Sequence, residues 1–237
     1  MPIQRSESLS ANLYQLPLGK IGQPATWPDY TALALPVDEL ITLALKVGLC
    51  LSSSADACLP VHAWRSLGQQ RATAAIAPLI SLLSFPAIAA IHQELPYVLN
   101  SLGPACITGL AQVLPDPRQP LTGRLTACHT LALIGQGYFE ATHDCIALLT
   151  TQLGKALVHP PQFNAALVEA LVKLAAIEAT PVIACAFSNQ RVQTTVVGDW
   201  LTIQLRLGLI SYSQWQKKKG AANLLPSRRF SHSRYAL

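Results

Sequence analysis

Pro60-Val61-His62-Ala63-Trp64-Arg65-Ser66-Leu67-Gly68, then a polar break, then Ala72 through Leu83, reads as two short amphipathic helices joined by a tight turn. Pro60 suits a first helical turn, where its missing N–H costs nothing. Val61, Trp64 and Gly68 fall at i, i+3 and i+7 and share a face, with Leu67 beside it. Gly68 also lets a neighbouring backbone approach closely. In the second helix Ala72, Ala75, Ile76, Leu79, Ile80 and Leu83 form a nearly unbroken apolar stripe. Pro78 lies inside that stripe and is expected to bend it or split off its first turn. One such pair cannot bury both stripes, so it needs neighbours stacked on it.

Weaker copies follow. Trp64-Arg65-Ser66-Leu67-Gly68 aligns with Leu99-Asn100-Ser101-Leu102-Gly103, with Leu131-Ala132-Leu133-Ile134-Gly135 and with Leu171-Val172-Lys173-Leu174-Ala175, at offsets of 35, 32 and 40 residues. Those lengths sit near the helix-pair repeats of solenoids. The expected fold is therefore all-α, an α-solenoid of stacked antiparallel helix pairs. Residues 1–27 read as an irregular N-terminal segment broken by Pro17, Gly19, Gly22 and Pro24. The repeat domain spans 28–210, and 211–237 reads as a basic, disordered tail. Within the domain, Ala87 to Gln93 reads as a weak helix, and Glu94 opens a separate one ending at Gly103. Asp199 is placed to cap a last helix carrying Trp200, Ile203, Leu207 and Ile210 on one face.

The 237 residues are 51% hydrophobic and only 12% charged, about half the usual charged share. Such a surface is suited either to cover by a partner or a second copy of the chain, or to exposure as a small-residue surface of Ala, Ser, Thr and Gln that tolerates water. The formal charge of +5 is unevenly placed: six of the 17 basic residues follow Ser211, and none of the 12 acids does. Ala74 to Ile91 is uncharged for 18 residues, but Pro78, Pro86, Ser81 and Ser84 interrupt it, so no membrane span is expected. Met1 to Gln15 lacks the apolar stretch of a secretory signal. The six cysteines show no C-x-x-C pair and no zinc spacing, which favours a reducing, cytoplasmic setting.

Pro60 to Gln69, with Ala75-Ile76-Ala77-Pro78-Leu79-Ile80 after it, resembles the HEAT-repeat proteins of the phycobilisome-lyase-like type. Asn164-Ala165-Ala166-Leu167-Val168 and Gly198-Asp199-Trp200 are similar to the closing segment of an uncharacterised bacterial branch of that group. The likeness covers roughly Trp27 to Leu209. It implies a HEAT-like solenoid, and solenoids of this kind serve as scaffolds, lyase subunits and nucleic-acid enzymes alike. The chain departs from the pattern at Ala74, Ala75 and Ala77, where acidic residues are common. It also carries no cysteine after Cys185, so a C-terminal zinc motif is not inherited.

No catalytic constellation stands out: there is no Walker loop, no G-x-S-x-G and no G-x-G-x-x-G. Glu140, His143 and Asp144 share one helix face and present a His between two carboxylates, a pattern that also describes an ordinary solvated face. Cys128 and His129 are adjacent, so their side chains diverge. Arg65, Arg71, Arg124 and Arg206 are candidates to line one face of the stack. No cofactor and no metal are expected. The function expected is a protein–protein scaffold or adaptor. The alternatives are a phycobilin-protein lyase or isomerase subunit and nucleic-acid binding through the tail. Trp215, Lys217, Lys218, Lys219, Arg228 and Arg229 are the candidate partner-binding residues, because aromatics among cations suit an anionic partner.

Overall fold

The computed structural model describes residues 11–33 and 35–224, which are helical throughout and contain no strand. Among these residues no helix is long and apolar enough to cross a membrane. We label the α-helices in chain order: α1 Val37–Ala44, α2 Leu59–Gln69, α3 Ile76–Ser81, α4 Ala89–Leu102, α5 Ile107–Val113 and α6 Leu121–Gly137. They continue as α7 Thr142–Leu153, α8 Pro161–Lys173, α9 Thr180–Ser188, α10 Thr194–Val197, α11 Trp200–Arg206 and α12 Tyr212–Leu224.

Five helices pack in succession, α1 on α2, α2 on α4, α4 on α6 and α6 on α8. Others flank this row, α3 touching α4 and α5, and α7 touching α6, α8 and α9. α2 sits deepest, with every residue from Leu59 to Gly68 buried. Trp64, fully buried, donates its indole N–H to the Ala44 carbonyl at 2.9 Å and closes the end of α1. It is a packing residue and not a ligand platform. A Cβ at Gly68 would lie 3.2 Å from Val98, so α4 crosses α2 here.

Four times a short 3₁₀ turn opens a second helix: Thr73–Ala75, Pro104–Cys106, Phe139–Ala141 and Ile177–Ala179. The last residue of each turn is small and buried: Ala75, Cys106, Ala141 and Ala179. This beat differs from the alignment made on sequence. Gly68 and Gly135 lie inside helices at close crossings, whereas Gly103 and Ala175 are turn residues with φ of 81° and 50°. α2 closes three residues after Gly68, at Arg71 with φ 52°, where Ala72 N–H bonds the Leu67 carbonyl at 3.0 Å. α8 closes alike, Ala176 N–H to the Leu171 carbonyl.

Pro78 does divide its stripe, into a 3₁₀ turn, the six-residue α3 and a second 3₁₀ turn. α4 departs from expectation: the two helices foreseen around Glu94 are one, running through Pro96. Glu94 does not cap a helix start; it is fully buried against Arg65. Asp199 caps α11 as expected, accepting from Thr202 N–H at 2.8 Å, but that helix ends at Arg206 rather than reaching Ile210.

Residues 18–27 of the N-terminal segment are tied down. Arg65 donates to Glu94 at 2.5 and 3.1 Å, and also to the carbonyls of Leu18 and Lys20. Glu94 accepts from Gly22 N–H at 2.8 Å, and Trp27 lies under the Arg65 guanidinium. Gln69 bonds both Tyr30 N–H and the Pro28 carbonyl, and the buried Tyr30 hydroxyl meets His62 Nδ1 at 2.5 Å. Residues 18–30 thus form an arm laid over the α2/α4 seam.

Candidate functional site

Among the described residues no such arm crosses the seam between α6 and α8. Leu125, Cys128, His129 and Ala132 of α6 face Gln162, Ala166, Glu169, Ala170 and Lys173 of α8, and Val196 of α10 walls one side. On each helix these positions recur every three or four residues, which puts them on one face. Three of the facing residues are alanines, too short to fill the space between two helix axes. The result is an apolar groove of about 290 Å³.

Polar groups stand at its rim. His129 is set by Tyr97 of α4, whose ring meets it edge-on at 5.7 Å and 82°. Burial, and then the charge of Lys173, hold the His129 imidazole below its ordinary pKa, so it is neutral at pH 7. Glu169 receives a two-point bond from Arg206 of α11, at 2.7 and 2.9 Å, which neutralises it. Lys173 makes no ion pair among the described residues. Cys128 forms part of the floor, where burial pushes its thiol well above the ordinary range and keeps it protonated.

Besides a hollow of about 480 Å³ lined by Tyr14, Leu18, Cys50 and Cys58, two still wider ones are found among the described residues. One, of about 930 Å³, runs between α3 and α5 past Ile76, Ile80, Gly109 and Gln112. The other, of about 490 Å³, lies where Trp27 and Asp29 of the arm meet Gln69, Arg71 and Asn100. Both are more open than the α6/α8 groove.

Neither a family model, nor a curated protein, nor a solved structure matches this chain. What the molecule can bind is therefore read from its own surfaces.

The candidates read from sequence are scattered. Trp215, Lys217, Lys218 and Lys219 lie on α12, a helix where a disordered tail was expected. Trp215 stacks on Tyr212 at 5.6 Å and lies beneath Lys219 at 4.4 Å, so these three side chains contact one another within the helix, while the Trp215 indole N–H has no hydrogen-bond partner among the described residues. Lys217 and Lys218 are exposed, and three consecutive residues on a helix diverge by about 100° each, so the lysines do not form one patch. Arg228 and Arg229 lie outside the described residues.

Glu140, His143 and Asp144 are all exposed and share no hydrogen bond. Among the described residues no group of three or more His, Cys, Asp or Glu is placed to hold a metal. The four arginines do not share a face. Arg65 is buried on Glu94, Arg124 is buried over Phe163 at 3.8 Å with His159 beside it, Arg206 is exposed but holds Glu169, and Arg71 is exposed. Cys128 and His129 both reach the groove, from floor and rim, without bonding each other. Tyr97, Ala166, Glu169 and Lys173 escaped the sequence reading as site residues. The available signal was a stripe of small and polar side chains at helical spacing, where a buried helix face carries large apolar ones.

Proposed function

We propose that this chain is an α-solenoid of HEAT-like, antiparallel helix pairs that works as a protein–protein scaffold, with the open face of α4, α6 and α8 as its binding surface. The packing of α1, α2, α4, α6 and α8 in succession supports the stacked arrangement, as do the four 3₁₀ turns that open the second helices. A cytoplasmic setting accompanies this reading, since buried Cys106, Cys128 and Cys145 serve as free thiols in the core.

The observation that carries the reading is the arm. Residues 18–30 lie across α2 and α4 as a largely irregular segment, held through backbone carbonyls, a backbone N–H and aromatic contacts. The face that receives the arm continues into the groove: Gln93, Tyr97 and Asn100 fall at i, i+4 and i+7 on α4. Gln93 lies beside Gly22 of the arm, and Tyr97 packs on His129. A surface that seats one irregular segment at one seam is suited to seat another segment at the next.

The test is capture of partners from native cell extract by the wild-type chain and by Ala166→Trp, which fills the groove. Loss of one specific protein with the variant is the expected result. Turnover of a small molecule by the purified chain, abolished by a single side-chain change, would replace this reading with an enzymatic one. A saturable absorbance change on titrating a linear tetrapyrrole would favour a lyase subunit.

A further inference from the structure

We propose that the α6/α8 groove accepts an apolar side chain followed directly by a carboxylate, presented by an extended segment of a partner protein. The proposal rests on the scaffold reading and names the chemistry of what that scaffold binds.

Size comes first. About 290 Å³ falls just under the range of small-molecule and cofactor sites, and suits one or two side chains inserted from outside. The floor is set by Leu125, Cys128, Ala132, Ala166 and Ala170, which offer no hydrogen bond to a ligand, so the inserted group is apolar. A leucine-sized side chain leaving water here supplies the main attraction, because its apolar surface is removed from solvent.

Charge fixes the neighbour. Of the ionisable groups on the rim, Glu169 is neutralised by Arg206 and His129 is uncharged at pH 7, which leaves Lys173 as the net charge. Lys173 and His129 are close enough for the ammonium to depress the imidazole. A carboxylate placed between them gains the Lys173 ammonium as a cationic partner, with the neutral imidazole as a second donor beside it. An incoming ammonium would meet Lys173 instead, so the groove discriminates by sign. The arm offers a parallel within the same chain: there the charged pair Arg65–Glu94 reads the carbonyls and N–H of an irregular segment, while Trp27 and Tyr30 supply the apolar contact.

The experiment titrates acetylated, amidated hexapeptides into the full-length ¹⁵N-labelled chain and follows amide shifts. The probe carries Leu-Glu at its centre in a glycine background; the comparators carry Leu-Lys and Ala-Glu. Saturable shifts confined to residues 125–132 and 162–173 are expected with the Leu-Glu peptide. Binding should be weaker by about tenfold with either comparator, the factor that corresponds to about 1.4 kcal/mol. Lys173→Glu should invert the preference toward Leu-Lys, and Ala166→Trp should abolish the shifts while leaving the remainder of the spectrum unchanged. Equal responses to all three peptides, or shifts centred elsewhere, overturn the proposal. The broader reading fails separately: it falls if native extract yields no specific protein. If a partner is captured and its binding survives Lys173→Glu, the scaffold stands and the groove assignment is lost.

Discussion

The α2/α4 seam and the α6/α8 seam are built from similar helices and end in opposite conditions. At the first, Arg65 and Glu94 are both fully buried, and the chain's own arm covers them. At the second, alanines face one another and the charged groups stay at the rim, with Glu169 and Arg206 about one-third exposed. A buried ion pair needs its remaining hydrogen-bonding groups satisfied, and the arm's backbone does that. An apolar groove makes no such demand and can wait open. Polarity at a seam thus determines whether the chain must close it internally.

The contrast can be broken first at Glu94. Glu94→Ala leaves Arg65 buried without its partner and frees Gly22 N–H, and should cost about 3–5 kcal/mol in urea unfolding. Glu169→Ala, which breaks the half-exposed pair at the other seam, should cost under about 1 kcal/mol. Equal losses would remove the distinction between the two seams.

Acid should loosen the closed seam next. His62 beneath Tyr30 titrates in the folded chain at about 4 against an ordinary 6.5, because burial and then the Arg65 charge disfavour the imidazolium. Between those values the unfolded chain holds a proton here that the folded one does not. Stability should therefore rise with pH through this window and fall as pH drops from 6.5 toward 4, by up to about 3 kcal/mol. Burial lowers His92, His129 and His159 in the same direction, so His62→Gln should flatten the profile without removing it. Urea midpoints at pH 4.5 and 7 provide the check.

Smaller effects sharpen the boundary of the open seam. Asp199→Ala removes the cap of α11, the helix that supplies Arg206 to Glu169, and should cost about 1 kcal/mol. Lys173→Glu should alter stability by less than about 0.5 kcal/mol in the same assay, since that side chain is exposed and makes no ion pair among the described residues.

The helices themselves were legible because their apolar residues recur at 3.6-residue spacing, from Leu40 and Leu43 in α1 to Leu167 and Leu171 in α8. The cap at Asp199 was legible because a cap is chemistry within four residues. Partners far apart in the chain were not. Nothing near Arg65 points to Glu94, 29 residues on, or to Leu18, 47 residues back. Glu94 carries the local look of a helix start, and its burial comes entirely from tertiary packing. Some helix ends carry no glycine signal for a different reason: Arg71, Ala175 and Gln190 themselves take the left-handed conformation usually taken by glycine. The groove was hidden because small residues mark close packing and empty space equally well.

The arm also imposes an order on how the chain is made. Synthesis delivers residues 18–30 early, yet Gly22 is tied to Glu94, which emerges 72 residues later. Until α4 leaves the ribosome, the arm's aromatic side chains Trp27 and Tyr30 have no complete seat, and the first helices must wait with Arg65 unmatched. A nascent chain paused before Glu94 would be the most vulnerable form of this protein, and one released just beyond α4 could lock its beginning into place in a single step.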